Sequence, residues 1–164
     1  MKIDKIDLKI LKTLQANARI SNVELADAVG LSPSPCLRRV RQLEQAHVIN
    51  RYVTLVEPAS VGLTVNVFVQ VSLERQGGDY LNRFEEAVGQ WPEVMECYLM
   101  SGDADYHLRV VVPDLAAYEH FLHARLTQVP GISNIKSSFA LKRVNYRTEL
   151  PLQPKTSVKP SERD

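Results

Sequence analysis

The first third of the chain spaces its apolar residues every three or four positions, as a helix with one buried face does. Residues 4–17 repeat isoleucine and leucine at this spacing, with lysines between them and Asp4 placed to cap the helix. A second, shorter helix is predicted to begin at Ser21, because Ser21 and Glu24 have the spacing of a capping box. Gly30 then supplies the left-handed residue that ends this helix.

A third predicted helix starts in the Ser-Pro-Ser-Pro sequence of residues 32–35 and runs to about Ala46. Prolines are tolerated in a first turn because the N–H groups there have no partner inside the helix. One side of this helix is apolar, and the opposite side carries hydrogen-bonding and cationic side chains. These polar residues are Ser34, Arg38, Arg41, Gln42 and Gln45, with Arg39 at their edge.

The apolar pattern changes after residue 64, where valine occupies every second position of residues 65–73 and predicts a half-buried strand. Helices are predicted over residues 79–90 and 114–128, and strands over 95–101, 106–112 and 134–144. This β-α-β-β-α-β order is typical of a ferredoxin-like domain, whose helices cover one face of the sheet. The other face must be covered by self-association, so we expect at least a dimer. The candidates for that open face are Tyr98, Val110, Val112 and Phe139.

The predicted fold is therefore of the α+β class, with two domains. Residues 3–55 form a winged helix-turn-helix domain, in which residues 22–41 are the helix-turn-helix and residues 48–55 a strand pair or wing. Residues 56–63, with a proline and a glycine, form a hinge, and residues 64–150 form the ferredoxin-like domain. The tail, residues 151–164, is expected to be disordered because it is rich in proline and polar residues.

Composition and charge limit the cellular compartment and the kinds of partner that we expect. No window approaches the roughly 18 apolar residues of a membrane span, the N-terminus lacks the apolar core of a signal peptide, and Cys36 and Cys97 form no motif. We therefore expect a cytoplasmic protein without a membrane partner. Residues 1–55 hold nine Lys and Arg against five Asp and Glu, whereas residues 56–150 hold eight against twelve. This asymmetry favours a polyanion partner for the first domain only, although a solvated basic face would give the same counts.

The polar face of the third helix suits the major groove of double-stranded DNA. Arginine can bond guanine O6 and N7 in bidentate fashion, glutamine can pair with adenine, and a serine at a helix N-terminus can hold a phosphate. An ordinary solvated helix is the alternative, but the tight glycine turn before this helix favours a helix-turn-helix. The candidate DNA-binding residues are Ser32, Ser34, Pro35, Arg38, Arg39, Arg41, Gln42 and Arg51.

Signs of catalysis are few. There is no glycine-rich phosphate loop, and His120 and His123 form only a two-histidine half-site, which is more often plain surface than a metal site. We predict that the chain is no enzyme and needs no metal or cofactor. The turn at residues 101–106 could bind an amino acid, with backbone N–H groups for its carboxylate and Asp103 or Asp105 for its ammonium group. A purely structural turn is the alternative.

Several stretches together resemble the Lrp/AsnC, or feast/famine, family of bacterial and archaeal transcriptional regulators. They are residues 6–11, 21–26, 29–44, 102–106 and 129–132, in the family's order and spacing. The resemblance implies that the second domain binds ligand and forms oligomers, as dimers through the sheet that often close into octameric rings. It also implies a small amino-acid effector bound between dimers. Residues 137–141 are similar to members that respond to leucine, methionine or cysteine.

By position, the resemblance places the effector near the turn after the second strand and near the last strand. The implied effector-binding residues are Leu99, Ser101, Gly102, Asp103, Asp105, Tyr106, Ser137, Ser138 and Phe139. The leading hypothesis is thus a sequence-specific regulator whose oligomerisation and DNA binding respond to an amino acid. One alternative is a DNA-organising protein without an effector. Another is an enzyme on a ferredoxin-like scaffold with an added DNA-binding domain.

Overall fold

A computed structural model describes residues 2–74 and 77–153, and these form two compact units. The first contains Met1–Thr54 together with the described chain from Asn145 onward, and the second contains Leu55–Val144. The division falls between Thr54 and Leu55, and residues 145–150 group with the first unit, whereas the sequence analysis placed them in the ferredoxin-like domain. The predicted disordered tail lies outside the described residues from position 154 onward.

Three helices build the first unit: α1 (Lys5–Ala16), α2 (Asn22–Val29) and α3 (Pro33–Gln45). The predicted caps form, since Asp4 and Ser21 each open a capping box and Gly30 ends α2 in the left-handed conformation. The helices pack around a small apolar core whose buried members are Ile10, Leu25, Ala26, Val29, Cys36 and Leu43.

The strand pair predicted over residues 48–55 was wrong. Residues 50–57 have no helix or strand structure, and most of their side chains are exposed. Their β-branched and aromatic residues favour extended backbone, but a strand needs a hydrogen-bonded neighbour, which the described part of this unit does not provide. Instead the Tyr52 hydroxyl, which donates to Glu44 Oε1 at 3.0 Å, fastens this segment to α3.

A glutamine of the first unit binds the backbone of the chain beyond residue 144. Gln15, on α1, donates its side-chain amide to the Leu150 carbonyl at 3.2 Å and accepts the Leu150 N–H at 2.7 Å. One side chain therefore satisfies both backbone groups of Leu150, as a neighbouring strand would. These two bonds link the chain after residue 144 to α1 within the first unit.

The second unit has the predicted β-α-β-β-α-β order. Its elements are β1 (Val65–Leu73), α4 (Gly78–Val88), β2 (Val94–Leu99), β3 (Tyr106–Val112), α5 (Leu115–Ala124) and β4 (Ile132–Phe139). The strands form an antiparallel sheet in the order β2-β3-β1-β4. The hinge region contains a short 3₁₀ helix, Pro58–Val61, and a second one, Leu126–Gln128, follows α5.

Helices α4 and α5 cover one face of this sheet. Val67, Val69 and Val71 of β1 point to that face and pack with Phe84 and Phe121 in the main core. Val110 and Val112 lie in the same core, so their assignment to the open face was wrong. Strand β3 is buried at Val110, Val111 and Val112 in succession, so alternation there does not distinguish the faces.

The open face of the sheet has a different membership from the one predicted. Phe139 pairs with Val67, which places it on the helix-covered face, and its ring meets that of Tyr118 edge-on at 5.3 Å. Tyr98 does lie on the open face, opposite His107. Phe68, which sequence reasoning missed, lies near the middle of this face with Arg109 and Ser138 as its cross-strand neighbours.

Candidate nucleic-acid interface and effector loop

The outward side of α3 forms a shallow groove of about 360 Å³. Its lining residues are Ser34, Leu37, Arg38, Arg41, Gln42 and Gln45. Four predicted DNA-binding residues, Ser34, Arg38, Arg41 and Gln42, therefore share one surface. Leu37 was missed because the helical wheel places it on the apolar side. It is 38% exposed, so a methyl-bearing side chain lies among the polar ones.

The N-terminus of α3 offers fewer donors than an ordinary helix. Pro33 and Pro35 carry no N–H, and the Cys36 N–H bonds the Ser32 carbonyl at 3.2 Å. The Ser32 side chain makes no capping bond. A phosphate at this end would therefore meet the Ser34 N–H and two serine hydroxyls, while Pro35 supplies only contact surface.

An asparagine fixes the turn between the two helices of the motif. The Asn22 side-chain amide, at the start of α2, donates to the Pro33 carbonyl at the start of α3 at 2.9 Å. Together with the left-handed Gly30, this bond sets the direction in which α3 leaves the turn. The sequence contains no spacing rule that identifies this role for Asn22.

Arg39 differs from the other predicted DNA-binding residues. Its Nη1 lies 2.7 Å from Asp4 Oδ2 and 2.7 Å from Asp7 Oδ1, so it faces α1 and not the groove. The neighbouring Asp7 backbone and the Arg39 guanidinium hold the pKa of Asp4 below its usual range. The same two carboxylates raise the pKa of Arg39, which therefore stays charged. The prediction that Arg39 contacts DNA conflicts with this engagement.

Arg51 lies outside the groove, in the exposed segment that follows α3. The next residue, Tyr52, is held by its bond to Glu44. Burial and this hydrogen bond raise the pKa of Tyr52 to about 12, so the phenol remains neutral at physiological pH. Arg51 thus lies next to a residue that is fastened to α3, and its contact with a phosphate stays a prediction.

The second predicted site, the turn between β2 and β3, divides into exposed and buried residues. Leu99, Ser101, Gly102 and Asp103 are exposed, and Gly102 has a φ of +143°. Asp105 is buried, and its Oδ2 accepts the Leu73 N–H of β1 at 2.7 Å. Its carboxylate therefore closes the end of the sheet. The expectation that Asp105 holds an effector's ammonium group stays a prediction, and its carboxylate also has this structural role.

Tyr106 also points away from the surface of the turn. It is buried in the main core, and its hydroxyl donates to Glu85 Oε1 of α4 at 2.8 Å. Burial, with a smaller effect of Glu85, raises the pKa of Tyr106. This bond anchors the first residue of β3 against α4, and the role of Tyr106 in effector binding stays a prediction.

The structure does not bring the two predicted halves of the effector site together within one chain. Ser137 lies on the helix-covered face and shares a hydrogen bond with the Tyr118 hydroxyl, whereas Ser138 lies on the open face opposite Phe68. Strand β4 is separated from β3 by β1, and neighbouring strands lie about 4.8 Å apart. The turn and the last strand are thus roughly 10 Å or more apart across the sheet.

Both parts of the chain match known family models. Residues 3–50 match a winged helix-turn-helix DNA-binding model, and residues 66–150 match the Lrp/AsnC ligand binding domain. The chain belongs to the Lrp/AsnC family. This Lrp/AsnC protein is accordingly a DNA-binding transcriptional regulator, with its groove on α3 inside the DNA-binding match and its β2–β3 turn inside the ligand-binding match.

Its relatives are similar over nearly their whole length. The Bkd operon transcriptional regulator of Pseudomonas aeruginosa is 53% identical over 150 residues, which cover 92% of this chain and 98% of the relative. The leucine-responsive regulatory protein of Escherichia coli K12 is 40% identical, with 92% of each chain covered. A Neisseria meningitidis regulator solved as an L-Met complex is 43% identical, with a TM-score of 0.87 over 92% of this chain and 97% of that one.

The described helices of this Lrp/AsnC regulator, within residues 2–74 and 77–153, are each too short or too polar to cross a bilayer.

Proposed function

We propose that this Lrp/AsnC regulator binds specific operators through α3 and that a small amino acid of the leucine, methionine or cysteine type changes its oligomerisation and DNA binding. Support for the effector class comes from the names of two relatives, one leucine-responsive and one bound to L-Met. The proposal places the protein in the cytoplasm and gives it no catalytic step, metal or cofactor.

In this proposal the outward face of α3, whose side chains line the shallow groove described above, enters the major groove of double-stranded DNA. Arg38, Arg41 and Gln42 project from one face of the helix and have the donors that guanine and adenine edges accept. Ser32, Ser34, Pro35 and Arg51 lie toward the phosphates on either side. The Leu37 side chain could contact a thymine methyl group beside them.

The exposed β2–β3 turn is the observation that supports the effector site best. A free amino acid needs hydrogen-bond donors for its carboxylate and an anion for its ammonium group. Ser101 and the backbone of Gly102 offer donors, and Asp103 is the exposed carboxylate of the turn. Because Ser138 lies across the sheet from this turn, we infer that a complete site takes Ser137, Ser138 or Phe139 from another copy of the chain.

Assembly would follow from the open face of the sheet. Phe68 is 48% exposed and Tyr98 55% exposed there, which is unfavourable for two large aromatic residues in water. A second copy placed face to face would bury both and give a dimer with two recognition helices. Further association of dimers, up to an octamer, would bring effector turns against neighbouring sheets.

Two aspartates of the same turn allow a matched test of the effector site. We expect leucine, methionine or cysteine to raise the melting temperature of the wild-type protein, because a ligand that binds the native state stabilises it. Asp103→Asn should abolish this shift while leaving the melting temperature without ligand and the DNA affinity unchanged. Asp105→Asn should instead lower the melting temperature without ligand, because it weakens the bond to the Leu73 N–H.

The measurements are thermal unfolding with each amino acid, DNA affinity with and without the stabilising one, and oligomer size by sedimentation. Lysine and aspartate serve as negative controls, because their side chains are charged whereas those of the proposed effectors are not. Unchanged melting, DNA affinity and oligomer size across all twenty amino acids would refute the effector proposal and favour the effector-independent alternative. If Asp103→Asn keeps a full response, the ammonium group is bound elsewhere.

A further inference from the structure

The N-terminus of α1 and the recognition helix meet at one set of charges, which we call the Arg39 cluster: Asp4, Asp7 and Arg39. The two carboxylate oxygens of Asp4 have different partners. Its Oδ1 accepts the N–H groups of Ile6 and Asp7 at 2.8 Å each, and its Oδ2 contacts Arg39. Asp7 does the same, since its Oδ2 accepts the Asp4 N–H at 3.0 Å and its Oδ1 contacts Arg39.

The buried carboxylate of Asp7 needs both a counter-charge and hydrogen bonds. Asp7 is 2% exposed, and a buried carboxylate is costly unless hydrogen bonds and an opposite charge compensate its lost hydration. Arg39 supplies that charge from α3, while the capping box supplies the hydrogen bonds. The same atoms that begin α1 therefore fix where Arg39 can lie.

The charge balance of the Arg39 cluster disfavours a role in DNA contact. One guanidinium and two carboxylates within 2.7 Å carry a net charge of about −1 at neutral pH. A phosphate that approaches Arg39 is therefore exposed to the net negative charge of the cluster and not to an isolated cation. Arg39 is thus unlike Arg38 and Arg41, which line the groove.

The ion pairs of Arg39 also affect the direction in which the groove-lining side chains of α3 point. Successive residues on a helix point about 100° apart, so fixing the direction of Arg39 toward α1 fixes Arg38, Arg41 and Gln42 as well. A rotation of α3 by about 20° would move side chains at its surface by roughly 2 Å. That displacement is larger than a hydrogen bond to a base edge tolerates.

We propose that Arg39 is a positioning residue for DNA recognition: held by Asp4 and Asp7, it sets the rotation of α3 and makes no contact with DNA itself. This inference rests on the proposed function of α3 in the major groove. It assigns the acidic start of α1 a part in sequence specificity, although Asp4 and Asp7 lie on a different helix from the base-contacting residues.

The test compares Arg39→Gln and Arg38→Gln in the full-length protein. The probe is the duplex that the wild-type protein enriches from a random-sequence pool, and a scrambled duplex of equal length gives non-specific affinity. For Arg39→Gln we expect the specific-to-scrambled affinity ratio to fall about tenfold, comparable to one mismatched base pair. The slope of log affinity against log salt concentration should stay the same, because no phosphate contact is lost.

Asp4→Asn provides the gentler variant, in case Arg39→Gln unfolds the protein. Asparagine remains a good helix cap, so α1 should keep its start while Arg39 loses one carboxylate. We expect Asp4→Asn to lower the affinity ratio in the wild-type background and to leave it unchanged in the Arg39→Gln background. Arg39→Lys should restore part of the ratio, because its ammonium group can pair with Asp7.

The outcomes separate the two proposals. A salt slope that falls by about 0.9 in Arg39→Gln would mean that Arg39 neutralises a phosphate, which overturns its positioning role. An unchanged affinity ratio in both Arg39→Gln and Asp4→Asn would also overturn it. If Arg38→Gln leaves the ratio unchanged too, the assignment of α3 as the reading helix fails along with it.

Discussion

At the residue scale, the end of the recognition helix carries a backbone conformation that does not suit its side chain. His47 has a φ of +54°, the left-handed region that favours glycine. Its N–H bonds the Glu44 carbonyl at 3.0 Å, and the Val48 N–H bonds the Leu43 carbonyl at 2.9 Å, as at many helix ends. Histidine thus occupies the position at which helices most often place glycine.

We therefore expect His47→Gly to stabilise the first unit by about 0.5–1 kcal/mol, since the left-handed strain of a side chain outweighs the greater freedom of glycine when unfolded. The free energy of unfolding, measured with urea, checks this. His47→Ala is the matched control, because it removes the imidazole but keeps the Cβ and should give no gain. An equal gain from both variants would show that the imidazole, and not the backbone, is responsible.

The residue scale is also where sequence reasoning was least able to place the site. The turn composition at residues 101–106 was visible, but nothing in it distinguishes the exposed Asp103 from the buried Asp105. That difference depends on the Leu73 N–H, which lies 32 positions away along the chain. The ion pairs of Arg39 were equally invisible in the sequence, since its partners are on another helix.

At the element scale, local chemistry predicted more of the structure. The Asp4 cap, the Ser21 capping box and the left-handed Gly30 involve neighbours within a few residues, and each formed as expected; Asp4 proved to open a capping box as well. The order of strands and helices in the second unit followed from apolar periodicity alone. The strand pair over residues 48–55 did not form, because strand propensity does not supply a pairing partner.

One turn of the second unit shows how an element depends on a neighbour that periodicity does not reveal. Gly131, just before β4, has a φ of +90°, and its carbonyl accepts the Glu74 N–H at 2.8 Å. A Cβ at Gly131 would lie 2.2 Å from Cδ1 and 2.5 Å from Cε1 of Tyr80 on α4. The turn and the first part of α4 are therefore packed too closely for any side chain at this position.

We expect Gly131→Ala to destabilise the protein by about 2–4 kcal/mol, combining left-handed strain with overpacking against Tyr80. Gly62→Ala is the matched control, because Gly62 has a φ of +78° with open space around its Cβ position. It should cost only the strain, about 1 kcal/mol. Urea unfolding of both variants gives the comparison, and equal losses would mean that Tyr80 moves aside without cost.

At the scale of the whole molecule, the open face of the sheet exposes aromatic side chains that a second copy of the chain could cover. Phe68 lies at its centre, beside Arg109 and Ser138, and Tyr98 lies on an edge strand. Asn66, on the same face of β1, has a buried side-chain oxygen with no hydrogen-bond partner in the described part of the chain. A second copy would cover the aromatic rings and could donate a hydrogen bond to Asn66.

We expect Phe68→Lys to convert the proposed oligomer to monomers, because it places a charge where two apolar faces would meet. Leu115→Lys is the matched control, since Leu115 is 63% exposed at the start of α5, away from the open face, and should leave oligomer size unchanged. Sedimentation velocity measures both.

Because the groove on α3 lies in the other unit, a monomeric Phe68→Lys should keep its affinity for one half-site. It should lose the gain from binding two linked half-sites at once, which can exceed a hundredfold. A Phe68→Lys protein that stays oligomeric, with undiminished affinity for paired half-sites, would show that the sheet face is not the interface.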